Sequence, residues 1–410
     1  MNQSISEKIN LTTKINYFLI SILPISLLSG SAVSNMIIIL IGLLFISDLY
    51  QRENLIFFHD FNFYFLIIIY LYLIFNSVFV AKNEDSIVRA LGFIRFIILT
   101  YAIYFYFNFF KKKIIKFWFL IFLVVSFDIT FEYIFGRNIL GFTSNYPGRI
   151  ASFTGNELKI GNFYFGFLLV SLSYLPNKDK KLKFFLSIVF FILALLIGER
   201  SNFLKIFIMY SLFFLFFINI SFLKKILILI FLSFLSYTII SKSPALSSKF
   251  YNHIFEDYYE MIKKGENFDK DKIIRSNQHF GHYYTALLIF NENRIFGSGI
   301  KTFRIESFKE KYNSIDKFYG QSTHPHQLHF EFLSELGIVG YILIISNFIY
   351  VLRKNITQKK DFLIKSGILF LIATLVPILP SGSFFTSYGA AIFWINYSFL
   401  IKKNRLETIN

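Results

Sequence analysis

The sequence predicts an all-α polytopic membrane protein: about twelve transmembrane helices, with a helical extracytoplasmic cap between the ninth and tenth. Three observations predict it. Of 410 residues, 55% are hydrophobic and only 16% charged, whereas soluble domains carry about a quarter charged residues. The apolar residues come in blocks of roughly 17–25, long enough to cross a hydrocarbon core about 30 Å thick. Lys and Arg gather in alternate connections between the blocks, the pattern that orients helices in a bilayer.

The first two spans, Ile15–Val33 and Asn35–Ile46, follow one another at once, and the second extends through Tyr50 on a longer reading. The small residues of "SGSAVSN" resemble a signal-cleavage site, but the charge alternation needs both spans, so the first is read as retained. Phe61–Ala81 and Ala90–Phe110 come next, and the basic link "KKKIIK" at Lys111 parts the latter from Ile114–Thr130. Ile160–Leu175, Phe184–Ile197, Phe203–Ile220 and Ile226–Ser241 follow, with "NKDKKLK" at Asn177 and "LKK" at Leu223 among their connections. Ile338–Leu352, Phe362–Leu379 and Phe384–Leu400 close the set, followed or separated by "RKNITQKK" at Arg353 and "KKNR" at Lys402.

Together with the N-terminus and Arg52, these basic connections far outweigh Lys82, Arg89 and Arg200 in the short loops of the opposite side. Both termini are therefore expected in the cytoplasm. The chain then divides into residues 1–241 with nine helices, 242–337 forming a large outer cap, and 338–410 with three helices and a cytoplasmic tail. The net charge of +17 is distributed through the connections, which argues against a nucleic-acid surface. Cysteine is absent, so disulfides, thiolate nucleophiles and Cys-ligated metals are excluded.

Two long segments, Phe131–Lys159 and Lys242–Leu336, are expected outside the cytoplasm. Six of the seven histidines fall in the second: His253, His279, His282, His324, His326 and His329. The stretch "STHPHQLHFEFLSELG" from Ser322 holds three of them. Read as a helix, it puts His326, Phe330, Leu333 and Gly337 on one face, beside a polar stripe of Gln327, Glu331 and Glu335. Pro325 suits a helix start, which places His326 in the first turn at the water's edge. An imidazole there titrates near neutrality and can take a proton from a hydroxyl. The alternative reading is a surface histidine on an amphipathic helix. A shared metal is a rival, since His324-x-His326, His326-x-x-His329 and His279-x-x-His282 have ligand-like spacing, but neither an HExxH element nor an acidic cluster accompanies them.

In "GERSNF", Arg200 stands at the outer end of the seventh span, in a turn with few other polar groups. A guanidinium there suits a phosphate or diphosphate; the alternative is snorkelling to the interface, or neutralisation by Glu199. "RSNQHFGHYYTALLIFNENRIFGSGIKTF" from Arg275 reads as a polar lead, an amphipathic helix and a Gly-rich turn. No βαβ unit surrounds that turn, so it is not a dinucleotide fingerprint. "RIASFTGNELKIGNF" contributes Arg149 and Glu157 to the same face, either as site groups or as solvated loop. Arg95, inside the fourth span, is a functional pointer unless it snorkels.

"HPHQLHFEFLSELG" resembles the signature of the O-antigen ligase and polymerase family: a His, then Asn, Ser or Gln, a Leu four residues on and a Gly eleven on. Those positions are His326, Gln327, Phe330 and Gly337 here, with Phe in place of Leu. The "ER-S" turn is similar to the one carrying the family's Arg, at Arg200, and the run into "FGSGIKTF" is similar to the one following its second Arg, at Arg275. The resemblance implies a metal-independent, inverting glycosyltransferase with a GT-C-like membrane fold and no cofactor. It implies transfer of a glycan from undecaprenyl diphosphate to a hydroxyl acceptor on the periplasmic side of the inner membrane. Arg200 and Arg275 would hold the diphosphate, His326 would be the general base, and His324 or Glu335 would orient it, with Arg149, Glu157 and Arg95 as possible supports.

A ligase uses lipid A–core as acceptor; a polymerase uses another lipid-linked repeat unit. "RIASFTGNEL" leans towards the polymerase, and the ligase label of the family is the reading adopted. The alternative from another class is a lipid-linked glycan transporter or flippase, but such proteins show internal repeats and midplane polar groups, whereas here the polar groups line the outer rim.

Overall fold

The computed structural model describes residues 10–52, 60–157, 159–176, 179–248, 250, 278–312, 320–356 and 361–401. Among them the regular structure is helical, without a strand. The principal helices are α1 (Leu11–Leu28), α2 (Ser31–Arg52), α3 (Phe61–Phe75, continued by a π-turn at Asn76–Ala81), α4 (Glu84–Phe135), α5 (Ile160–Leu172), α6 (Lys180–Leu196), α7 (Arg200–Phe217), α8 (Phe222–Lys242), α9 (Gln278–Glu292), α10 (Leu328–Ile356), α11 (Phe362–Thr374) and α12 (Ser387–Ser398). Seven elements among the described residues are long and apolar enough to cross a membrane: α1, α2, α3 with its π-turn, α4, α7, α8 and α10. This is a membrane protein. The expected spans at Ile160–Leu175 and Phe362–Leu379 correspond to α5 and α11, apolar helices of 13 residues each, and the last two expected segments have coil between them.

The basic link at Lys111, expected as a loop, is helical. α4 runs through it for 52 residues, which as a straight rod would measure about 78 Å. It is not straight. Phe107 and Trp118 have ring centroids 5.6 Å apart and both pack on Phe399, although about 16 Å of helical rise separates their positions. Ser86 near one end donates to Ile300 O, Glu132 near the other receives the Ala151 and Ser152 amides, and Lys111 between them pairs with Asp361. The helix thus turns back near the lysines, and its two limbs follow the two spans the hydropathy separates. No helix breaker lies there, so helical hydrogen bonding continues through the basic segment.

Local signals set the ends of several helices. Asn10 caps α1 by accepting from Thr13 N, Asp60 caps α3 at Asn62 N, and Asn83 caps α4 at Asp85 and Ser86. Gly136 ends α4 at φ 74°, the left-handed conformation that favours glycine. The core is built largely from aromatic rings, with Trp394, Tyr397, Phe393 and Phe384 of the C-terminal segment meeting Phe93 and Phe348. Some buried polar groups inside it pair across helices: the Tyr397 hydroxyl is shared between Asn62 Oδ1 and Asn347 Oδ1, and Asn347 donates to Asn62 at 3.0 Å. Apolar surroundings make such hydrogen bonds costly to leave unmade, so they also fix helix register.

One end of the bundle carries the chemistry-bearing loops. The other carries Lys111–Asp361 and Lys354–Asp60 pairs and a knot around Asp48, which accepts from Asn10, Thr13 and Tyr106.

Candidate active site

The site is organised by a break in α10. Gly337 has φ 65° and ψ −171°, a backbone conformation essentially restricted to glycine, and it interrupts the helix after Leu336. The turn 294–303 fills the break. Ile338 and Val339 donate to Arg294 O and Ile295 O, while Ser298 and Gly299 donate to Ser334 O and Glu335 O. Asn76 ties the turn to α3 by donating to Phe296 O and accepting from Ile300 N. A Cβ on Gly297 would lie 2.4 Å from the Glu335 carbonyl, so the glycines of "FGSGIKTF" permit this backbone-on-backbone contact. They are a docking surface for the broken helix.

The polar stripe lies inward. Gln327, Glu331 and Glu335 are all buried. Gln327 caps α10, its Oε1 accepting from His329 N at 2.7 Å and Phe330 N at 3.1 Å. Glu335 accepts from the amides of Lys301 and Phe303, and so holds the Gly-rich turn instead of orienting His326. Glu331 accepts from Ser383 Oγ and from Phe384 N.

α10 begins at Leu328, so His326 precedes the helix and does not share its face. It adopts φ 58°, a left-handed backbone, with its carbonyl accepting from Ser381 N at 2.7 Å. Pro325 starts no helix turn here; the capping is done by Gln327.

Around His326 the fold gathers three other imidazoles. Ring centroids lie 3.9 Å away for His324, 5.0 Å for His282 and 5.2 Å for His279. His279 and His282 come from one face of α9, held against α10 by the Tyr283–Phe330 stack. His326 Nε2 and Ser322 Oγ are 3.2 Å apart. His329 points elsewhere, bonded to Tyr341 Oη and Leu375 O. Among the described residues no group of His, Asp and Glu has the arrangement of a metal site. His253 lies outside the described residues.

Burial, reinforced by the neighbouring imidazoles, pushes His326 down to about 2. His282 is pushed down to about 4 by burial and His279, and His324 to about 4 by burial, Lys301 and His282. The folded site thus favours neutral rings, whereas an unfolded histidine takes a proton near 6.5. Stability from these rings is complete above 6.5 and is lost as pH falls towards 4. The melting temperature is expected to drop between pH 6.5 and 4.5, and to drop less in His282→Gln; equal slopes in the two proteins would refute the assignment.

Arg200 opens α7, and its charge acts on His279. Arg149 is brought beside it by a glycine contact: Gly198 has φ 75°, and a Cβ there would lie 2.0 Å from Gly148 O and 3.3 Å from Arg149 Cα. The segment carrying Arg149 is itself held by Glu132, whose carboxylate receives the Ala151 and Ser152 amides at 2.8 and 2.6 Å. Glu199 is buried and accepts from Gly161 N and Asn202 Nδ2.

The other expected residues divide. His324 is in the cluster. Glu157 is exposed and pairs with Lys159. Arg95 binds Gly92 O and Ser387 Oγ and stacks on Phe96, a set of contacts that includes none of the four imidazoles. Arg275 lies outside the described residues, three positions before α9. Sequence reasoning missed Lys301, Ser383 and the inward role of Glu331; the one available signal was a lysine inside an otherwise apolar, Gly-rich turn.

Residues 163–345 match the family model described as O-Antigen ligase. That stretch contains Arg200, Arg275 and His326. No curated protein matches the chain.

Proposed function

We propose, from the premise that this chain belongs to the O-antigen ligase and polymerase family, that it is a metal-independent, inverting glycosyltransferase. Its donor is a glycan on undecaprenyl diphosphate and its acceptor a hydroxyl of lipid A–core, at the periplasmic side of the inner membrane. Both termini then face the cytoplasm and residues 242–337 form the periplasmic cap. The observation that carries the reading is the meeting of His326 with three further imidazoles within electrostatic reach of Arg200.

The acceptor oxygen attacks the anomeric carbon while its proton passes to His326 Nε2, the ring nitrogen that lies 3.2 Å from Ser322 Oγ. The bond from that carbon to the diphosphate oxygen breaks, and the leaving group keeps the electron pair. Arg200 and Arg275 stabilise the charge that grows on it. Arg149 supports Arg200, adding positive charge beside the same turn. The depressed basicity of these rings fits this role, because the arriving diphosphate is an anion that raises the imidazole pKa values. Neutral His326 is thereby kept unprotonated until the donor is bound.

The test is transfer by purified protein in nanodiscs supplied with lipid-diphosphate glycan and lipid A–core. Glycan on the core supports the ligase; elongation of the lipid-linked glycan without core modification makes it a polymerase. Translocation of the donor with no new glycosidic bond overturns the proposal. Arg200→Ala is expected to weaken transfer by about 10–100-fold in kcat/KM, the loss of one charge-assisted contact. An unchanged kcat/KM would remove Arg200 from the diphosphate site.

A further inference from the structure

Beneath the imidazole cluster lies a second set of charged groups that the transfer step does not use. Lys301 is 5% exposed, Glu331 1% and Glu335 0%. Burying three ionisable side chains together is costly, and well-packed apolar residues commonly do as well or better for stability. Their contacts run in one direction. Lys301 Nζ donates to Ser383 Oγ at 2.7 Å, and Ser383 Oγ donates to Glu331. Glu331 also receives Phe384 N at 2.8 Å. Two residues before Ser383, Ser381 N donates to His326 O at 2.7 Å.

Backbone strain gathers in the same place. His326 (φ 58°), Lys301 (φ 61°) and Ile378 (φ 73°) are non-glycine residues in the left-handed region, and all three belong to segments joined by these contacts. Tyr283, from the helix carrying His279 and His282, donates to Ile378 O. Such strain persists where surrounding contacts over-determine it, and it concentrates at functional sites. The Lys301 charge also acts on His324, whose ring is the nearest neighbour of His326.

We infer that Lys301, Ser383 and Glu331 form a buried positioning relay that holds the His326 backbone and sets the charge environment of the imidazole cluster. The inference rests on the glycosyltransferase reading. Lys301 and Glu331 touch no substrate in it; they act through the 381–384 segment and through His324. The groups facing the cluster are His279, His282, His324, Arg200, Lys301 and the exposed Arg304, with Glu331 and Glu335 behind Lys301.

The experiment is a pH profile of transfer in nanodiscs, using the lipid-diphosphate donor. Lys301→Met is expected to lower kcat by about 10–100-fold with donor KM within about 3-fold, and to move the acid limb upward by about one pH unit. The direction follows because removing a nearby cation lets His324 and His326 protonate more readily. Lys301→Arg, keeping the charge, is expected to return the limb to its wild-type position. Should Lys301→Met fail to fold, Lys301→Gln, which removes the charge but keeps a donor for Ser383 Oγ, is expected to give the same upward movement. Wild-type kcat, or a lowered kcat with an unmoved limb, overturns the relay. A wild-type protein that makes no product overturns the glycosyltransferase reading instead. Normal wild-type transfer with an inactive His326→Asn and an unaffected Lys301→Met sinks the relay alone.

Discussion

His326→Asn is expected to lower kcat for transfer by about 10²–10⁴-fold, with the protein still folded and the donor still bound. Asparagine is the informative replacement because His326 sits at φ 58°. Asn tolerates the left-handed backbone better than most residues, so the carbonyl that accepts from Ser381 N stays in place. What Asn lacks is a group able to take a proton. An alanine there would add backbone strain to the loss of the base and confuse the two. The measurement is single-turnover transfer beside donor binding, with thermal melting as the control for folding. Full single-turnover rate in His326→Asn would end the general-base assignment.

Gly337→Ala is expected to cost about 3 kcal/mol or more of stability, among the larger effects of a single substitution. Its backbone, at φ 65° and ψ −171°, is closed to residues with a side chain. A Cβ there would also lie 2.3 Å from Ile295 O and 2.5 Å from Gly297 N, so the backbone itself would have to move. That movement would loosen the bonds from Ile338 and Val339 to the 294–295 carbonyls. The Gly-rich turn would lose its seat, and Lys301 with it. Gly382→Ala is the control, since a Cβ there meets nothing within 4 Å and its φ is not in the left-handed region. Equal melting temperatures for the two variants in the same detergent would contradict the account of the helix break.

The signature glycine eleven residues after the histidine thereby gains a physical meaning. It reads as one position on a helical face when the spacing alone is considered, yet in the structure it is the point where that helix stops being one. Periodicity carries no information about a break that depends on an approaching backbone. Gln327 shows the same limit in a milder form. Its place beside the histidine suggested a polar stripe, but its work is to cap α10. Glu335 has the chemistry to orient an imidazole and instead holds two amides of the turn. Arg95 and Glu157 share the right end of the bundle with the histidines, and their contacts lead elsewhere.

The helices and the membrane character were set by the sequence itself, because hydropathy is a local, additive property of a window of about twenty residues. The same holds for the clustering of imidazoles on two short segments, which is plain in the order of residues. The site was decided by tertiary structure. Lys301 and Ser383 lie 82 positions apart. Arg200 reaches His279, and the 381–384 segment reaches His326, only because helix ends meet at one face of the bundle. The bend near Lys111 and the break at Gly337 position those ends, and each exists through contacts that no single stretch of chain contains.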